Sequence, residues 1–223
     1  MTYDATINRI LRRVIPGVHV DRTVLDALIR EKPTPAGLVS LLAAPDPSAV
    51  RAAVLYLGMY GTMRESAVLA LCLHHEDPGV VQLAEHCLWS LWMQAGSADG
   101  NRRLASGIGY LETGDSRAAV RTFDALVAAE PDFAEAHFQR GLALSMMERV
   151  EEAEQAYRQA LRLNPYHFGA AAALGHACVE RGNLRGALHC YRQALRIHPQ
   201  LEDVPVALHE LEAALESRGS QHA

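Results

Sequence analysis

The sequence predicts an all-α solenoid, an array of helical hairpins stacked side by side, and three observations carry that reading. Pro131, Pro165 and Pro199 recur at an interval of 34 residues. Phe123, Tyr157 and Tyr191 keep step with them, as do Gly107, Gly141 and Gly175. Upstream, apolar residues continue at helical spacing between Asp-Pro pairs that open helices. A unit of this length cannot bury its apolar faces alone, so copies stack, and the stack offers a long surface suited to binding.

The elements begin with a helical pair over 4–14 and 20–31, expected to close the N-terminal end. Asp46-Pro47 and Asp77-Pro78 then supply a capping carboxylate followed by a proline at the first helical position. Apolar runs follow each of them, Val50 to Gly58 and Val80 to Leu88. Helices are expected near 34–44 and 46–60, then near 62–74 and 77–94. These two hairpins resemble HEAT-type repeats, so residues 1–95 are read as a HEAT-like region. Trp89 and Trp92 fall just before Gly96, where a buried joint between two repeat types is expected.

Three 34-residue copies follow, over 100–133, 134–167 and 168–201. Glycine in the first helix and Ala119, Ala153 or Ala187 in the second remove bulk where two axes cross, while the aromatics fill the wider space toward the next unit. Gly114-Asp115 and Gly182-Asn183 mark the turn inside a hairpin, a left-handed position followed by a capping residue. The middle copy departs there, with Glu148-Arg149. Each proline ends the second helix because it has no N–H and disfavours a helical residue before it. Copies two and three nearly coincide over 156–165 and 190–199.

On these residues, 96–201 resembles three tetratricopeptide repeats, a family whose paired helices wind into a right-handed αα superhelix with a peptide-binding concave face. Departures occur at Arg103, His137 and Ala171, where the family usually has a bulky aromatic. Ser106 and Arg140 stand where Leu174 keeps the usual leucine. Leu208, Leu211 and Leu215, among acidic residues, predict a capping helix over 202–217, with a tail over 218–223.

What the resemblance implies about function is a groove lined by the first helices. Transferred position by position, it marks Asn101, Leu104, Ile108, Glu135, Phe138, Gln139, Leu142, Met146, Ala172 and His176 as partner-binding candidates. The family's carboxylate-clamp pattern of lysines and asparagines is largely missing, with Leu104, Ile108, Gly169 and Ala173 at most of the matching places, so capture of a C-terminal carboxylate is disfavoured. An apolar strip of Leu104, Ile108, Phe138, Leu142 and Met146 suits a peptide or an amphipathic helix of another protein. At roughly 1 kcal/mol each for half burial, the strip gains roughly 5 against association costs of roughly 4 to 15, which predicts micromolar or weaker binding. The alternative is that part of the strip packs against the chain's own N-terminal half.

Other classes of function find less support. The 21 basic and 26 acidic residues leave a formal charge of −5, spread over both halves, which is no nucleic-acid footprint. No stretch reaches the length of a membrane span, and Met1 to Val20 lacks the apolar core of a secretory signal, so a cytoplasmic setting is expected. Cys72, Cys87, Cys178 and Cys190 read as buried thiols, since helical height separates each pair on antiparallel helices. No cofactor or metal is expected. His74, His75, Glu76 and His86 have ligand character, and di-iron HEAT-type enzymes use His-Glu pairs, but only one such pair is present here, His75-Glu76. Arg158, Arg162, Arg192 and Arg196 form a basic stripe on the second helices that is read as a solvated convex face. The chain is thus expected to be a non-enzymatic scaffold or adaptor. A di-iron oxygenase-like enzyme and a weakly self-associating structural array are the alternatives.

Overall fold

The computed structural model describes residues 18–220, and every regular element among them is helical. The helix expected over 4–14 lies outside the described residues. The chain divides into two compact units, Met1–Trp92 and Met93–Ala223.

The first unit contains α1 (Arg22–Glu31), α2 (Pro35–Leu42), α3 (Pro47–Tyr60), a 3-10 turn (Met63–Glu65), α4 (Ser66–Cys72) and α5 (Pro78–Met93). Helix α3 is its centre. Its Val50, Ala52, Ala53 and Val54 are fully buried, and it packs on α1 and α2. On the side facing α5 the axes approach closely: a Cβ on Gly58 would lie 2.2 Å from the Cys87 sulfur. Asp77 ties the same two elements together. Its carboxylate accepts from the Val80 N–H at 2.9 Å, capping α5, and from the Arg51 guanidinium at 2.9 and 2.6 Å. The capping box at Thr62 and Glu65 starts the 3-10 turn, so the element expected over 62–74 is a tight turn followed by a short helix. Trp92 is buried and its indole N–H donates to the Ser66 hydroxyl at 3.3 Å, within this unit.

The Arg51 guanidinium holds the Asp77 carboxyl below the ordinary carboxylate range. A carboxylate with a lowered folded pKa stabilises above its unfolded pKa and loses that contribution as pH falls through the folded value. Asp77→Asn, which keeps a capping oxygen, is therefore expected to unfold more readily than wild type at neutral pH. The gap should close on the acid side. Asp77→Ala removes the cap as well and should cost about 2 kcal/mol in urea unfolding.

The second unit contains α6 (Ala98–Glu112), α7 (Ser116–Ala129), α8 (Ala134–Ser145), α9 (Val150–Leu163), α10 (Phe168–Glu180), α11 (Leu184–Ile197) and α12 (Val204–Ser220). They form consecutive hairpins, α6 with α7, α8 with α9 and α10 with α11, and α12 packs on α11. Helix α12 runs to Ser220, into residues read from the sequence as tail. The repeated glycine and aromatic are partners within one hairpin rather than between neighbours. A Cβ on Gly107, Gly141 or Gly175 would lie 2.4 Å from the ring of Phe123, Tyr157 or Tyr191. Each aromatic thus sits on the bare backbone of its own first helix, and its ring sets how closely the two axes approach.

The intra-hairpin turns show why the middle copy differs. Gly114 and Gly182 adopt φ of 81° and 72°, and Asp115 and Asn183 cap the helices that follow. In the middle copy Glu148 takes the same left-handed conformation, with φ of 58°, and Arg149 makes no side-chain cap. A non-glycine residue there costs about 1–2 kcal/mol per residue. Glu148→Gly should therefore stabilise this unit by about 1 kcal/mol, read as a rise in thermal midpoint.

All four cysteines are free and buried. Burial pushes the Cys72 thiol up to about 11 and the Cys87 and Cys190 thiols to about 12, so they stay protonated at neutral pH. Cys178 and Cys190 lie near enough to act on one another electrostatically but form no bridge.

Candidate partner-binding face

The first helices α6, α8 and α10 present equivalent positions at each repeat, and their side chains fall into three rows. The innermost row is closed in the first two repeats. Leu104 is 2 % exposed and Phe138 6 %, the latter lying 4.5 Å from His167 and 6.1 Å from Tyr157 between ring centroids. Glu135 and Gln139 are buried beside it. The Glu135 carboxylate accepts from Gln139 Nε2 at 2.8 Å and lies 3.1 Å from His167 Nε2. His167 Nδ1 accepts from the Ala170 N–H at 3.1 Å, which puts the ring proton on Nε2, aimed at the carboxylate. These four candidates are therefore closed off and offer no surface to a partner. Asn101 is occupied differently. Its amide accepts from the Gly96 N–H at 3.1 Å and donates to the Gln94 carbonyl at 3.2 Å, fastening the segment ahead of α6.

The middle row is half open. Ile108 and Leu142 are half-buried, and His176, their equivalent in the third repeat, is exposed; Ala172 stands instead at the position of Leu104 and Phe138 and is half-buried. His176 Nδ1 lies 2.8 Å from the Tyr191 hydroxyl, and Ser145 makes the matching contact to the Tyr157 hydroxyl at 3.0 Å. Although the residue is exposed, its ring packs edge-on against Tyr191, and that partial desolvation lowers the His176 pKa against the opposing pull of Glu180 and Asp203, so the ring is mostly neutral at pH 7.

The outer row faces solvent. Met146 is 57 % and Val179 40 % exposed, with Leu111 half-buried and Glu112 and Glu180 exposed. Of this row only Met146 belongs to the sequence-derived set. Leu111, Glu112, Val179 and Glu180 were missed, although they stand three and four residues beyond Ile108 and His176, on the same helix faces. One further helical turn from the marked residues finds them.

The basic stripe is partly neutralised. Glu154 bridges Arg158 and Arg181, and Arg192 pairs with Glu212 at 2.7 Å. Arg158 and Arg162, with Gln155, Leu161 and Leu174, line a shallow groove of about 590 Å³. In the first unit, Val39, Leu42, Val68 and Leu71 line a smaller apolar groove of about 390 Å³. His75 accepts the Asp77 N–H there at 2.9 Å, and no cluster of three or more metal-ligating side chains occurs among the described residues. No helix among them is long and apolar enough to cross a membrane.

Stacked hairpins with a repeated glycine–aromatic pair and a row of first-helix side chains open to solvent give the second unit a tetratricopeptide-like helical-repeat fold. The family comparison agrees: residues 104–168 match one tetratricopeptide-repeat model and residues 144–215 a second, so residues 104–215 carry tetratricopeptide repeats. Among solved structures, the first TPR of Spaghetti (RPAP3) bound to the HSP90 peptide SRMEEVD aligns with a TM-score of 0.53 at 21% identity, covering 54% of this chain and 96% of that one. The Sgt2 TPR domain from Aspergillus fumigatus aligns at 0.53 and 15% identity, covering 56% and 83%. MamA aligns at 0.51 and 18% identity, covering 70% and 86%. At such identities the likeness establishes the fold. No curated protein sequence matches the chain.

Proposed function

We propose that this chain is a non-enzymatic scaffold or adaptor that binds a peptide or helix of another protein along the exposed rows of α6, α8 and α10. The observation that carries the reading is the open apolar surface of Met146, Val179, Leu142 and Ile108 on equivalent faces of consecutive repeats. Such a surface recognises apolar anchors through side-chain burial. A neighbouring fold bound to an HSP90 peptide supports peptide capture by hairpins of this kind. Because Leu104 and Phe138 are buried already, fewer anchors remain than the sequence strip offers, and binding is weak and micromolar at best. On the same reading, α2 to α5 are two HEAT-like hairpins that enlarge the scaffold, and the setting is the cytoplasm, where four free thiols are at home.

Affinity capture followed by mass spectrometry tests the proposal, using wild type and Met146→Asp/Val179→Asp. Both positions are exposed, so the variant is expected to fold, which circular dichroism verifies. Partners retained by wild type are expected to drop out with the variant; an identical partner set overturns the reading.

A further inference from the structure

The charges around the open rows go further and name the chemistry of the partner. We infer that this face takes a basic, apolar segment, arginine or lysine side chains flanking aliphatic anchors, and not an acidic one. The inference rests on the reading of these rows as a partner-binding face.

Every cation on the first helices already has an acid. Arg102 and Arg103 on α6 are held by Asp99, at 3.0 and 2.6 Å. Arg140, the cation of α8, is held by Asp124 at 2.6 Å. Helix α10 carries no lysine or arginine, and Arg181 just beyond its end is held by Glu154 at 2.6 Å and by Glu151 at 3.4 Å.

The acids of the outer row are not matched in this way. Glu112 and Glu180 occupy equivalent positions in the first and third repeats, are exposed, and have no cation in salt-bridge contact among the described residues. Glu180 acts electrostatically on His176, Tyr157 and Tyr191, so its charge reaches across the middle of the face, and Asp203 adds to it at His176. His176 is mostly neutral at pH 7 and does little to offset them.

Between these two carboxylates, at the same position of the second repeat, stands Met146 at the end of α8, more exposed than Tyr110 or Val179, the other large apolar side chains open to solvent on the first helices. A segment crossing the repeats meets negative charge, a soft apolar anchor, then negative charge again. Methionine adapts to varied apolar partners, and the flanking carboxylates select those with cations at both ends. An acidic segment would place like charges against Glu112 and Glu180, where each neighbouring guanidinium is already paired with an acid.

Fluorescence anisotropy on the full chain decides the question with two capped, labelled peptides. One alternates leucine and arginine as an amphipathic helix, and the other has glutamate in place of arginine. The arginine peptide is expected to bind at micromolar Kd, weakening about tenfold between about 50 and about 300 mM salt. It should also weaken about tenfold with Glu112→Lys/Glu180→Lys and severalfold with Met146→Gln. All three positions are exposed, and circular dichroism verifies that the variants are folded. Arginine-peptide binding that ignores these substitutions overturns the inference. Binding of the glutamate peptide alone, lost with Met146→Gln, overturns the charge inference while keeping the face as a binding site. Binding of neither peptide overturns both.

Discussion

Gly141→Val is expected to destabilise the C-terminal unit by about 3 kcal/mol or more, the largest loss of any single substitution outside its aromatic core. A Cβ at this position would lie 2.4, 2.6 and 3.0 Å from three ring carbons of Tyr157, distances no packed pair tolerates. The ring has nowhere to retreat. Tyr157 is 2 % exposed, its hydroxyl is engaged by Ser145 at 3.0 Å, and Phe138 packs beside it. Relief therefore requires the axes of α8 and α9 to part, which opens contacts along the hairpin. Alanine gives the same clash with one methyl, but it is also a better helix former than glycine by about 1 kcal/mol, so Gly141→Ala should cost less, about 1–2 kcal/mol.

Two comparisons make the cause visible in denaturant melts. Gly109 lies on α6 with nothing within 4 Å of the place a Cβ would take, so Gly109→Ala should stabilise by about 0.5–1 kcal/mol. Gly141→Ala combined with Tyr157→Leu should lose less than the sum of the single changes, by about 1–2 kcal/mol, because the smaller side chain vacates the space. Additive losses would show that glycine serves something other than ring clearance.

This pairing also marks how far the sequence could be read. Gly107, Gly141 and Gly175 and the three aromatics were legible as a repeat because sterics leaves one residue type acceptable at each place, and identity then survives from copy to copy. The turn in the middle copy was legible as a departure in residue type, but its geometry was not: Glu148 keeps the left-handed φ of the two glycines. What escaped was depth. Helical periodicity tells which side chains share a face, but Phe138 and Leu142 share one on α8, and only the overlap of the following repeat decides that Phe138 is covered and Leu142 half open. That overlap is set by His167 closing over Phe138, a contact between residues far apart in the chain with no local signature. Asn101 escaped for a similar reason: an asparagine at a groove position looks like a ligand contact until its backbone partners at Gly96 and Gln94 are known.

The same closed row supplies the second large expected effect. Glu135→Ala should cost about 2–4 kcal/mol, because it strands donors rather than merely emptying space. Glu135 and His167 are both fully buried at their side chains, and the carboxylate receives the Gln139 amide and the His167 Nε2–H. The imidazole cannot swap its tautomer to adapt, since Nδ1 already accepts the Ala170 N–H that begins α10. Glu135→Gln keeps the volume but offers a single acceptor for two donors and sets an N–H against another, so it should fall between wild type and alanine. His167→Asn keeps a capping oxygen for α10 and loses the reach to Glu135. A cycle built from Glu135→Ala, His167→Asn and their combination should show a coupling of about 1–2 kcal/mol. Because His167 caps α10, this contact ties α8 to the start of the third hairpin, and stability in such arrays is a sum of unit and interface terms, so the loss should be unevenly distributed. Hydrogen exchange is expected to quicken in α10, α11 and α12 while α6 and α7 keep their protection. Uniform acceleration along the unit would mean that Glu135 supports the whole array rather than the joint between two of its hairpins.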